Sequence, residues 1–136
     1  MKPIARNALA LIIGIIIGSV VNMAFVQLGP LIIPLPDGAD VSTMEGVKKS
    51  MDLFQPANFL FPFLAHAVGT LTGAFITAKF AFSHRKKFGM AVSGFFLVGG
   101  ITAAIMIGGP GWFNAADLIL AYIPMGWLGV KMALKK

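Results

Sequence analysis

Apolar residues in this chain come in blocks long enough to cross a bilayer rather than alternating with polar ones. A membrane-spanning helix needs roughly 20 mostly apolar residues, and four stretches supply them, at about 8–28, 59–82, 88–107 and 115–134. Gly29-Pro30 closes the first, and Gly108-Gly109-Pro110-Gly111 separates the last two. Between the first and second lies a polar segment with a pattern of its own. Ile33-Pro34-Leu35-Pro36 is expected to be extended, because each proline disfavours helix in the residue before it. Pro36-Asp37-Gly38 reads as a turn. Ser42-Thr43-Met44-Glu45 has the form of a capping box. From there to about residue 54, Met44, Val47, Met51 and Phe54 recur at helical spacing, while Glu45 with Lys49 and Lys48 with Asp52 pair on the opposite face. The pattern predicts an all-α polytopic membrane protein. It is a single-domain bundle of four transmembrane helices with a short outer amphipathic helix at about 43–54.

Composition agrees with lipid as the solvent. The chain is 57% hydrophobic, its mean hydropathy is +0.86, and only 12% of its residues are charged. Soluble domains carry roughly 25% charged residues. Cysteine is absent, which excludes disulfides and thiolate metal sites. The first span resembles a signal peptide, with Lys2 and Arg6 before an apolar run. That run is longer than a signal core and no Ala-x-Ala site follows it, so it is expected to remain as a helix.

Charge then sets an orientation. All five acidic residues, Asp37, Asp40, Glu45, Asp52 and Asp117, fall on one side of the implied membrane. Of the 11 basic residues, all but Lys48 and Lys49 fall on the other. Short loops rich in Lys and Arg stay in the cytoplasm. The expected placement is therefore the bacterial inner (cytoplasmic) membrane, with both termini and the turn Ser83-His84-Arg85-Lys86-Lys87 cytoplasmic. Arg85, Lys86 and Lys87 are expected to touch anionic lipid head groups. The net charge of +6 is not a nucleic-acid signature, because the basic residues sit at helix ends.

Polar side chains inside a bilayer are costly, which makes them functional candidates. At 1.5 Å rise per residue, Asn22, His66, Thr102 and Tyr122 all fall roughly 8 to 12 Å below the outer surface, one from each helix. Pointing inward, they would form one polar layer. His66 could relay protons or bind a polar ligand, or donate a single hydrogen bond to a neighbouring helix. Asp117 is expected to serve as a first-turn carboxylate behind an Asn114 cap; the alternative is a partnership with His66 at the mouth of a cavity. Asp37, Asp40 and Glu45 do not have the spacing of a calcium loop, and no metal or cofactor is expected. Gly14 and Gly18 in the first helix, and Gly69 and Gly73 in the second, make small faces that let helices approach closely, within the bundle or between copies. Pro62 and Pro124 are candidate kinks in the second and fourth helices. Asn58, Ala65, His66, Gly73 and Lys79 align at an offset of 56 residues with Asn114, Ala121, Tyr122, Gly129 and Lys135. Transporters built from parallel repeats show such echoes, and low-complexity sequence reaches this level by chance.

The loop Ile33-Pro34-Leu35-Pro36-Asp37-Gly38-Ala39-Asp40 and the run Leu64-Ala65-His66-Ala67-Val68-Gly69-Thr70 resemble those of a loose family of small bacterial four-helix membrane proteins. The resemblance implies the same bundle and carries no activity with it. Small multidrug transporters are similar in size, but depend on a glutamate in the first helix, where this chain has no acid. Two roles remain. The abundance of small-residue faces and the lack of a buried charge favour a non-catalytic structural or interaction subunit, forming a homo-oligomer or part of a larger membrane complex. The alternative is a small channel or transporter using the layer around His66. No catalytic residue is expected, since one histidine without a nucleophile or metal set does not make an active site.

Overall fold

The computed structural model describes residues 1–136 as helices joined by short connections, with no strand. The helices are α1 (Pro3–Ile32), α2 (Met44–Ser50), α3 (Leu60–Phe80), α4 (Arg85–Ile107), α5 (Gly111–Leu120) and α6 (Ile123–Leu134). Four units are long and apolar enough to cross a membrane: α1, α3 with the 3₁₀ turn Pro56–Phe59 before it, α4, and α5 with α6. In a bilayer every backbone polar group needs an internal partner, and helices meet that demand locally.

The elements depart from the sequence expectation at several ends. α1 starts earlier and runs through Gly29-Pro30 rather than stopping there. Pro30 removes only one backbone donor, and the helix ends two residues later at Ile32, where the cap residue Ile33 donates to the Gly29 carbonyl (2.8 Å) ahead of Pro34. Its 30 residues extend about 45 Å, more than the roughly 30 Å of hydrocarbon. Pro62 produces no break, because it lies in the first turn of α3, where its missing N–H has no helical partner. Pro124 does: it leaves the Leu120 carbonyl without a helical donor, and the fourth span divides at Ala121-Tyr122 into α5 and α6. Helix resumes with Gly126 donating to the Tyr122 carbonyl (2.8 Å).

α3 is the hub. It contacts α1, α4 and α6 along its length, and α1 meets the rest chiefly through α3. Hydrophobicity does not drive helix association in lipid, so close packing of small residues has to do so. Gly14 and Gly18 of α1 interlock with Gly69 and Gly73 of α3. A Cβ on Gly18 would lie 2.7 Å from the Gly69 carbonyl oxygen, and one on Gly73 would lie 2.8 Å from that of Gly14. The four glycines thus join helices inside one chain. Thr77 Oγ1 adds a hydrogen bond to the Ala10 carbonyl (3.1 Å). Ala74, Ala78, Val92, Val130 and Ala133 form the core where α3, α4 and α6 meet. On α1, Ile12, Ile16 and Val20 are exposed, as a lipid-facing surface should be.

Both termini lie at the α3–α4 turn. Asn7, buried in α1, accepts there from the Phe82 and Ser83 amides (2.8 and 3.1 Å) and donates to Ser83 Oγ (3.0 Å). Arg6 donates to the Phe80 carbonyl (3.1 Å). Arg85, half-buried, donates to the carbonyls of Ala78 (2.6 Å) and Lys79 (3.2 Å), which the end of α3 leaves free. Lys86 and Lys87 are exposed.

At the opposite end, α2 begins one residue later than the capping box implied. Thr43 is the cap, its hydroxyl accepting from the Gly46 amide (3.0 Å). Ser42 is held by Asp40, whose carboxylate accepts from its amide (2.9 Å) and hydroxyl (2.6 Å) and is kept below the usual carboxylate range by those bonds. Lys49 pairs with Glu45 (3.4 Å), whereas Lys48 and Asp52 do not meet.

Candidate functional site

His66, one turn and a half into α3, projects toward α5 and the α5–α6 break. Its Nδ1 lies 2.8 Å from Asp117 Oδ1. The Tyr122 hydroxyl donates to Asp117 Oδ2 at 3.1 Å. The Tyr122 ring stacks on the imidazole, with centroids 5.7 Å apart and planes at 25°. Asp117 is 5% exposed and Tyr122 2%.

Local structure explains the meeting. Pro110 caps α5 four residues before the expected Asn114 cap, so Asp117 falls in the helix interior, and Asn114 bonds back to the Gly108 carbonyl (3.2 Å). The cap-and-dipole role expected for Asn114 and Asp117 is therefore replaced by the partnership with His66. The break at Ala121-Tyr122 lets residues five apart in sequence share one carboxylate. Gly100 of α4 makes room for the Tyr122 ring; any Cβ there would collide with it. α4 itself ends at Gly108 and Gly109, whose φ angles of 84° and 103° suit only glycine.

The hydrogen bonds limit the protonation states. A carboxylate only accepts, so ionised Asp117 requires a proton on Nδ1 of His66, leaving Nε2 of neutral His66 as an acceptor. Nε2 has no hydrogen-bond partner in the chain. One further proton at Nε2 turns the cluster from net −1 to neutral without disturbing either bond.

The cluster stands between cavities. One of about 250 Å³ is lined by His66 and Asp117 together with Asn58, Asn114, Met51 and Phe113. It adjoins a second, also about 250 Å³, with which it shares Val26, Val47, Phe54, Asn58 and Pro62. Val47 and Phe54 line both, so the apolar face of the α2 segment roofs this end of the bundle. A third cavity, about 260 Å³, lies on the other side of His66, Gly100 and Ala103, and is walled by Asn22, Thr70, Phe96 and Tyr122. Asn22 Oδ1 and Thr70 Oγ1 are buried and have no hydrogen-bond partner. Beyond Gly69 and Thr70, α1 and α3 pack closely at the interlocked glycines.

Of the residues expected in one layer, Asn22, His66, Tyr122 and Asp117 surround these cavities. Thr102 does not. It lies two residues, or about 200° of helix, beyond buried Gly100, on the exposed face of α4, where its hydroxyl donates to the Val98 carbonyl (2.8 Å). Thr70, Gly100 and Asn58 had drawn no attention as site residues. Two of the echoed pairs at the 56-residue offset converge here: His66 stacks on Tyr122, and Asn58 and Asn114 share a cavity. No protein-family model matches the chain, and no curated protein or solved structure matches it significantly.

Proposed function

We propose that this chain is a small channel or transporter that admits a polar solute from the α2 end, with His66 and Asp117 as its proton-sensitive element. One observation carries the reading: half-buried His66, joined to buried Asp117 and Tyr122, stands where cavities meet, while the other half of the α1–α3 seam is packed by interlocked glycines. Ionisable groups in membrane spans mark solute and proton pathways. The basic residues around the termini and the α3–α4 turn favour a bacterial inner membrane, with that end cytoplasmic and α2 outside. The test is proton flux in vesicles containing the purified chain. Wild type should exceed empty vesicles, and His66→Ala should lower the rate toward theirs. Flux equal to that of empty vesicles refutes the proposal.

A structural or oligomeric subunit is the second reading. Gly94 of α4, with nothing packed against it, favours it. The mass of the detergent-solubilised protein tests it, and a strict monomer would sink the homo-oligomer.

A further inference from the structure

We propose that the cavities flanking His66 bind a small monovalent organic cation of the primary-ammonium class. The inference rests on the solute-binding part of the function proposed above, but not on movement across the membrane. Unpartnered polar groups beside a carboxylate cluster carry it. Thr70 and Asn22 both wall the cavity on the far side of His66, and the buried Thr70 hydroxyl and Asn22 amide oxygen have no hydrogen-bond partner in the chain. Neutral His66 adds the Nε2 lone pair. Three lone-pair carriers from α1 and α3 thus meet at the walls of one space of about 260 Å³, and an ammonium group can donate to each of them.

Charge points the same way. With His66 neutral the cluster is net −1, because the two groups bonded to Asp117 supply dipoles and no positive charge. No lysine or arginine lines this cavity or the one beside Asp117. An anion would meet an uncompensated carboxylate in a low-dielectric site. A neutral amide would leave that charge unanswered. The Phe96 ring and the alanine and glycine walls suit a short apolar substituent better than a hydration shell, and an aromatic face attracts a cation.

The test uses the purified full-length chain in nanodiscs and equilibrium dialysis of radiolabelled methylammonium, with acetamide, acetate and potassium as competitors. Saturable binding of one methylammonium per chain is expected, displaced by none of the three at equal concentration. Thr70→Val, which removes the hydroxyl at nearly constant shape, and Asp117→Asn should each weaken binding at least tenfold, and lipid-facing Thr102→Val should not. Should Asp117→Asn not fold, Thr70→Val decides. Wild-type affinity in Thr70→Val, or equal competition by acetamide or potassium, overturns the proposal. Binding without flux in vesicles would refute transport and leave this site standing; proton flux without methylammonium binding would do the reverse.

Discussion

Removing the Asp117 carboxylate should destabilise the bundle in a way that depends on what replaces it. Asp117 accepts from His66 (2.8 Å) and from the Tyr122 hydroxyl (3.1 Å) while only 5% exposed. Asp117→Ala leaves two donors stranded, at about 1–3 kcal/mol each for a buried unsatisfied group. The Nδ1–H can be relieved by a tautomer shift and the hydroxyl by cavity water, so the lower half of that range applies, a total of about 2–4 kcal/mol. Asp117→Asn should cost less, because its amide can donate to an Nε2-protonated His66 and its carbonyl can still accept from Tyr122. A double-mutant cycle of His66→Ala with Asp117→Ala isolates the pair. Neutral membrane hydrogen bonds average about 0.6 kcal/mol and reach about 1.7, and a charged acceptor adds to that, so coupling of about 1.5–3 kcal/mol is expected. Unfolding titrations in mixed detergent micelles provide the assay. Coupling below about 0.5 kcal/mol, the low end for an ordinary hydrogen bond, would refute the reasoning, as would Asp117→Asn being worse than Asp117→Ala.

Three further outcomes follow from packing and local hydrogen bonds. Gly69→Ala puts a Cβ 2.9 Å from the Gly18 carbonyl oxygen and should cost about 1–3 kcal/mol by overpacking, whereas Gly94→Ala, with open space around it, should be neutral or gain up to about 1 kcal/mol from helix propensity; the same titrations compare them. Asn7→Ala strands the Phe82 and Ser83 amides and should cost about 1–3 kcal/mol, with faster hydrogen exchange at the α3–α4 turn. The Asp40 carboxylate is held below its ordinary value of 3.8 by its bonds from Ser42, so its support for the α2 loop is complete above that pH and fades on acidification below it. The amide shift of Ser42 should follow that loss, and Asp40→Asn should abolish the pH dependence.

The four spans were legible because lipid imposes one demand on every residue of a crossing segment, and a block of about 20 apolar residues meets it wherever it occurs. The glycine seam was legible as small faces, though nothing in the chain said that Gly14 and Gly18 would meet Gly73 and Gly69 rather than another copy. The site was legible only as a depth. Depth follows from counting residues, but facing does not, and Thr102 has the right depth on the wrong side of α4. Asp117 was misjudged for a local reason: Pro110 starts α5 before Asn114 can cap it, which carries the carboxylate inward. The meeting of His66, Asp117 and Tyr122 depends on the relative registers of α3, α5 and α6, and on a break at Ala121-Tyr122 that Pro124 permits without specifying its angle.

The central claim is that water reaches His66 from the α2 end and stops at the glycine seam. A chain without cysteine lets single thiols report it. Hydrophilic thiosulfonates react with thiolates, which form only where water is present. Ala103→Cys, on the wall shared by the cavities beside His66, should be modified by a membrane-impermeant reagent added to the α2 side of oriented vesicles. Ala74→Cys in the close-packed core and Thr102→Cys on the exposed face of α4 should remain unmodified from either side. An Ala103→Cys thiol as inert as that of Ala74→Cys would mean that the space around His66 is dry and closed, and would contradict the account.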